Sequence, residues 1–425
     1  AWLLLPRLRS GGYVSIYEYL EQRYDASIRR LVSGVFLLSR GMGAGVAVYA
    51  TAIVLTSVLE LPMAWTIILI GVSTIAYDAL GGMRAVVYSD VIQMGVLVIG
   101  LLTCIAFTIA QVGTLPEVLA LFPDERRVAV DFSTGLGDGA EMPLWAFLFG
   151  GIFLYAAYYG TDQSQAQRLL ATRSESDARK ALLLNGYGRL PLISLYVVFG
   201  VCLYALLQSN AEFAAVVADG NADSLVPEFI VTQLPVGLRG LLVSALIAAA
   251  MSSIDSALNS LSAATLRDFL PGGREASLQM GRIVTIGWGT VITGFAFVVG
   301  GISETVIEAV NQIGSAFYSP VLCAFLLGMQ IRQVNSLAIW CGVISGVALT
   351  VTLWVGFPSV HWMWWNFFGA ACTSAVALGV VLIGGAGRTV IEPRPVTTWR
   401  SSYVGLCVYA LCMLSLLAAS AVSDR

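Results

Sequence analysis

Ala248-Ala249-Ala250-Met251-Ser252-Ser253-Ile254-Asp255-Ser256-Ala257-Leu258-Asn259 lies inside an apolar segment that begins near Leu241. Counted helically, Ala249, Ser252, Ser253, Ser256 and Asn259 follow one another at steps of three and four. Their oxygens therefore form one polar stripe on an otherwise lipid-like helix. Hydroxyls and a carboxylate at membrane depth are costly unless something uses them. A hard alkali cation such as sodium is the ligand that clustered oxygens suit.

The rest of the chain has the composition this segment demands. Of its 425 residues, 57% are hydrophobic and only 12% charged, and the mean hydropathy is +0.81. That is a multi-span all-α integral membrane protein. A net charge of -3 gives no reason to expect nucleic acid. The seven cysteines fall mostly inside apolar spans without CxxC pairing, so neither a disulfide framework nor a zinc site is indicated. With one histidine, His361, and no base near the serines at membrane depth, a Ser–Asp pair makes a poor nucleophile; the chain is not expected to be an enzyme.

At about 20 apolar residues per span, helices are expected at 29–59, 62–80, 88–112, 143–170, 178–208, 236–269, 280–300, 306–330, 336–356, 364–383 and 402–419. These are eleven full spans. Ala1 to Leu5 read as the end of a further span whose beginning precedes the chain, and Tyr13 to Tyr24 as a short amphipathic surface helix. With the loop after this stub placed in the cytoplasm, seventeen Lys and Arg fall inside and four outside, as the positive-inside rule requires. The C-terminus is then outside. Residues 331–425 read as three peripheral helices, with Trp362, Trp364 and Trp365 as an interfacial belt.

Several polar groups within the spans need an explanation. Arg40 and Arg189 keep their charge when buried, so each calls for an anionic partner, a route to the interface or a bound carboxylate. Asp90 opens a span, where it suits an N-cap, a cation site or both. Asp162 and Gln163 follow Gly160, where a span is expected to break; broken helices build midplane sites in many transporters, although Gly160 equally suits plain packing. Gln312 brings an amide into another span, and Tyr155, Tyr158 and Tyr159 form an aromatic cluster before the break.

Together these segments resemble the sodium:solute symporter family. The resemblance rests on Gly81-Gly82-Met83-Arg84-Ala85-Val86 running into Ser89-Asp90-Val91-Ile92-Gln93, on Asp162-Gln163 with Gln167-Arg168, on Ala249 to Asn259 ending in Arg267-Asp268, and on Ser319-Pro320 with Phe325-Leu326-Leu327-Gly328. It implies a LeuT-type core of two inverted five-helix repeats. Residues 1–330 would be that core from the end of its second helix, N-terminally truncated with the first core helix missing.

The resemblance also implies roles. Ala249, Ser252 and Ser253 align with the half of the common sodium site carried by the eighth core helix. Asp90, Asp255 and Ser256 align with a second sodium site found in some members, with Asp255 standing where those members carry a hydroxyl. Tyr158 aligns with the tyrosine that gates bound sugar, next to Gly160, Asp162 and Gln163. Tyr155, Arg189 and Gln312 align with sugar-contacting positions. Their residues at the first two are Asn and Lys, and the loss of that Asn weakens a plain-sugar reading. Arg40 lies in the helix whose arginine binds the carboxylate of sialic acid in other members. The expected activity is sodium-coupled import of a small polar solute across a plasma membrane, bacterial inner membrane by type, with an organic anion such as a sugar acid or monocarboxylate favoured. A neutral sugar or amino acid, or a transporter-like sensory module, is the alternative.

Overall fold

Pro143 and Pro235 each stand one residue ahead of a long helix, where the missing N–H of proline costs no intrahelical bond. Polar caps start others. Asp25 accepts from the backbone N–H of Ser27 and Ile28, Ser174 from that of Asp177, Ser277 from that of Met280 and Asn335 from that of Ala338, each satisfying an otherwise orphaned donor.

A computed structural model describes residues 4–80, 83–123, 135–136, 143–217, 222–270, 277–303, 305–384 and 408–409, with backbone alone at 80, 83–89 and 222. Its α-helices are α1 (Leu4–Ser10), α2 (Glu18–Arg23), α3 (Ala26–Leu59), α4 (Met63–Leu80), α5 (Met83–Val112), α6 (Leu115–Ala120), α7 (Leu144–Gly160) and α8 (Gln163–Leu170). They continue with α9 (Glu175–Ser209), α10 (Ala211–Val217), α11 (Leu225–Gln233), α12 (Val236–Asp268), α13 (Leu278–Ala296), α14 (Val306–Gln330), α15 (Ser336–Gly356) and α16 (Trp362–Ile383). Ten of the eleven expected spans coincide with these helices; the last, 402–419, lies outside the described residues.

Among the described residues, seven helices are long and apolar enough to cross a membrane: α3, α5, α9, α12, α14, α15 and α16. The pair α7 and α8, bent by 49° at their break, makes an eighth if it is one span. The expected spans at α4 and α13 are shorter, 18 and 19 residues. The protein is a multi-pass membrane protein.

α14 is the most enclosed span, with 78% of its apolar window buried against 22% for α5. Around it α3 packs on α12, α13 and α4, while α16 packs on α14, α15 and α7. Close approach at α15 and α16 depends on glycine: a Cβ at Gly346 would lie 2.0 Å from Thr373 Oγ1 and 3.1 Å from the Gly369 carbonyl oxygen.

Four of the basic residues that charge counting assigns to one side, Arg9, Arg23, Arg29 and Arg267, lie at one end of the bundle. Arg9 donates to the carbonyls of Leu169 and Thr172 at the end of α8, and Arg23 to those of Gly328 and Ile331 at the end of α14. Cations on the exposed carbonyls of helix C-termini are favourable on dipole grounds. At the same end Arg267 pairs with Glu18 at 2.7 Å and Arg29 with Asp268 at 2.7 Å.

Candidate functional site

The stripe on α12 divides between two directions, because consecutive helical residues point about 100° apart. Ser253 is exposed and donates to the Ala249 carbonyl at 3.3 Å, so two hard oxygens stand side by side one turn apart. Ser252 turns instead to α5 and donates to Asp90 Oδ1. The other oxygen of Asp90 pairs with Arg168 of α8 at 3.1 Å. Both oxygens of Asp90 are thus engaged by protein.

Asp255 is buried, with 2% of its surface exposed, and its Oδ1 has no hydrogen-bond partner among the described residues. Ser256 beside it is half-buried. Charges of Asp78 and Asp90 act on Asp255. Asn259 donates through Nδ2 both to Asp78 Oδ1 at 2.9 Å and to the Asp255 carbonyl at 3.1 Å. Asp78 has no place in the sequence expectation. The available signal was positional: Ile67, Ile70, Thr74 and Asp78 follow one another at helical steps, and the first three are buried.

The break between α7 and α8 is the second polar centre. Gly160 ends α7, and a Cβ there would lie 2.4 Å from Leu4 Cδ1, so the glycine lets α1 lie against the break. Asp162 caps α8 by accepting from the Ser164 backbone N–H at 2.8 Å. Its other carboxylate oxygen lies 3.5 Å from the Tyr318 hydroxyl of α14, which donates to it. Gln163 is fully buried and holds the strap before α2 by both ends of its amide: Nε2 donates to the Val14 carbonyl at 2.8 Å, and Oε1 accepts from the Ile16 N–H at 2.9 Å. The Tyr17 hydroxyl adds a bond to the Thr161 carbonyl at 3.3 Å.

Arg40 of α3 reaches this centre. Its guanidinium lies beside the Tyr318 hydroxyl and in the field of Asp162 and Tyr158, while its buried Nε has no partner among the described residues. Tyr158 accepts from Gln165 Nε2 at 3.0 Å, and its ring centroid is 6.3 Å from that of Tyr318. Arg40, Tyr158, Asp162 and Tyr318 therefore form one cluster.

The other expected substrate residues stand elsewhere. Arg189 of α9 donates to the Tyr159 hydroxyl at 2.5 Å and lies 5.5 Å from the Tyr155 ring centroid, an arrangement of exposed groups held by cation–π attraction. Gln312 donates to Glu308 Oε1 at 3.0 Å, one turn back on α14. Tyr318, which the sequence reading did not single out, is the α14 residue that meets Arg40.

Comparison with known proteins adds the following. Residues 1–346 match the sodium:solute symporter family. A putative sodium-dependent multivitamin transporter of Drosophila melanogaster is 30% identical over 384 residues, covering 84% of this chain and 60% of that protein. Sodium-coupled monocarboxylate transporter 1 of Xenopus laevis is 28% identical, over 84% of this chain and 58% of its own length. The sodium/sialic acid symporter NanT of Aliivibrio fischeri is also 28% identical, over 83% and 70%. The chain thus spans about three fifths of the first two relatives. Among solved structures, a substrate-bound, outward-open Na+-coupled sialic acid symporter superposes with a TM-score of 0.77 at 23% identity, over 92% of this chain and 80% of that one.

Proposed function

This chain belongs to the sodium:solute symporter family, and from that membership we propose that it imports a small organic anion, a sugar acid or monocarboxylate, together with sodium. The observation that carries the anion is Arg40, a cation in the protein interior whose Nε–H has no partner among the described residues. A buried guanidinium donor left unsatisfied costs on the order of 1–3 kcal/mol. A substrate carboxylate offers the planar acceptor that an arginine fork matches, and the Tyr158 and Tyr318 rings would flank it. The relatives named for monocarboxylates and sialic acid carry acids of this class.

On α12 the adjacent Ala249 carbonyl and Ser253 hydroxyl fit sodium as hard oxygen ligands, with Ser252 completing the set when it turns from Asp90. Each sodium moving inward at 100 mV, inside negative, contributes about 2.3 kcal/mol to drive the solute. Coupling follows if sodium and solute each favour the same arrangement of α12 against its neighbours. The membrane in this reading is a bacterial inner membrane, with Arg9, Arg23 and Arg267 on the cytoplasmic side and the C-terminus outside.

The nearness of Asp162 to Arg40 favours a second reading, an amino acid bound by carboxylate and ammonium together. A thermal-shift screen of the full-length protein in sodium, against sugar acids, monocarboxylates, neutral sugars and amino acids, separates the two. Stabilisation by acids that Arg40→Gln abolishes supports the first; stabilisation by amino acids alone, lost in Asp162→Asn, supports the second. Neutral sugars as the sole stabilisers would refute both.

A further inference from the structure

We propose that a sodium ion binds between α4 and α12, held by the carboxylates of Asp78 and Asp255 with the Thr74 hydroxyl beside them. This deepens the sodium-coupled reading and rests on it. Asp78 takes the place that the family resemblance gives to Asp90.

Three observations lead here. First, Asn259 ties α4 to α12 at the turn that carries Asp255, since one amide nitrogen donates to Asp78 and to the Asp255 carbonyl. Secondly, the arginine at this cluster is spent: Arg168 pairs with Asp90, and Ser252 takes the remaining Asp90 oxygen. The three carboxylates accordingly do not gather round one point among the described residues. Asp90 is drawn toward α8, leaving Asp78 and Asp255 without that cation. Thirdly, two oxygens in this region are buried with no partner among the described residues, Asp255 Oδ1 and Thr74 Oγ1. Thr74 stands one turn from Asp78 on the same buried face of α4.

A buried carboxylate without a partner costs several kcal/mol, and two near one another repel. The donors are all oxygen, which selects a hard cation and disfavours a soft one. With two carboxylates and a hydroxyl in an apolar setting next to an already neutralised Asp90–Arg168 pair, one sodium leaves a single residual charge.

The test is equilibrium binding of radioactive sodium to the purified full-length protein, which needs no substrate and no transport. Asp78→Asn and Asp255→Asn should each lower the sodium bound at saturation by one ion per protein. Thr74→Val, which keeps the charges and nearly the shape, should raise the half-saturating concentration about tenfold. This third variant decides the matter if the Asp255 variant does not fold. Unchanged binding in Asp78→Asn and Thr74→Val would overturn the proposal. A wild-type protein that binds no sodium would instead bring down the coupling reading itself.

Discussion

Arg29, on the first turn of α3, meets Asp268, the last residue of α12, through Nε at 2.8 Å and Nη2 at 2.7 Å, both on the same carboxylate oxygen. The second oxygen of Asp268 accepts from Ser33 at 2.6 Å and from Ser15 at 3.0 Å. The Asp268 side chain is fully enclosed, while Arg29 also pairs with Glu21 and donates to the Arg267 carbonyl. One carboxylate thus closes the end of α12 onto α3 and onto the strap before α2. The helix that carries the proposed sodium oxygens cannot tilt away from α3 without breaking these bonds.

Asp268→Asn should therefore both destabilise the protein and loosen this end. Removing one partner of an enclosed ion pair costs about 3–5 kcal/mol. The measurements are the thermal midpoint and the labelling rate of a cysteine placed at Ser15. An unchanged midpoint with unchanged labelling would show that the contact does not hold the end closed.

Gln163 is expected to act as a clamp on the strap. Gln163→Leu keeps the volume but orphans the Val14 carbonyl and the Ile16 N–H, at about 1–3 kcal/mol for each buried group. Hydrogen exchange should accelerate at Ile16, whose amide loses its acceptor, and should stay as in the wild type at Ala338, which Asn335 caps. Equal protection of Ile16 in both proteins would contradict the assignment.

Acid sensitivity should trace to Glu18 on the surface helix α2. Its burial pushes the carboxyl upward, but the hydrogen bonds from Arg267 and from the Ser15 backbone, with the Arg267 and Arg29 charges, outweigh that and leave it below the ordinary glutamate value. A carboxylate lowered in the folded state contributes stability at pH above its unfolded value, near 4.3. That contribution is lost as pH falls through the folded value. Glu18→Gln should thus be less stable than wild type at neutral pH, with the difference shrinking below about pH 4. Thermal midpoints from pH 7 down to acid would show it; a gap that widens in acid would be the wrong sign.

Sodium dependence should separate Ser253 from Arg189. Ser253→Ala removes one of the two adjacent oxygens and should reduce the sodium-induced rise in thermal midpoint, the ion between α4 and α12 keeping the remainder. Arg189→Gln, which disturbs only exposed contacts with Tyr155 and Tyr159, should retain that rise. The reverse pattern would move the cation site away from α12.

The all-helical class, most of the span positions and the polar stripe on α12 were legible in the chain alone, because apolar run length and helical spacing are local properties. Asp25, Ser174 and Asn335 start their helices through contacts equally local, a side chain reaching its own backbone two or three residues on. The partners of the polar groups were not legible. Ser252 finds Asp90 across 162 residues, Asn259 finds Asp78 across 181, and Gln163 finds Ile16 across 147. No local pattern encodes such pairs, which are chosen by how α4, α5, α8 and α12 pack. Sequence determined that α12 carries oxygens too costly to leave idle in a membrane. Only the tertiary structure decided that Arg168 neutralises Asp90 and that Asp78 faces the stripe through Asn259, since a buried charge takes the partner that packing brings within hydrogen-bond reach.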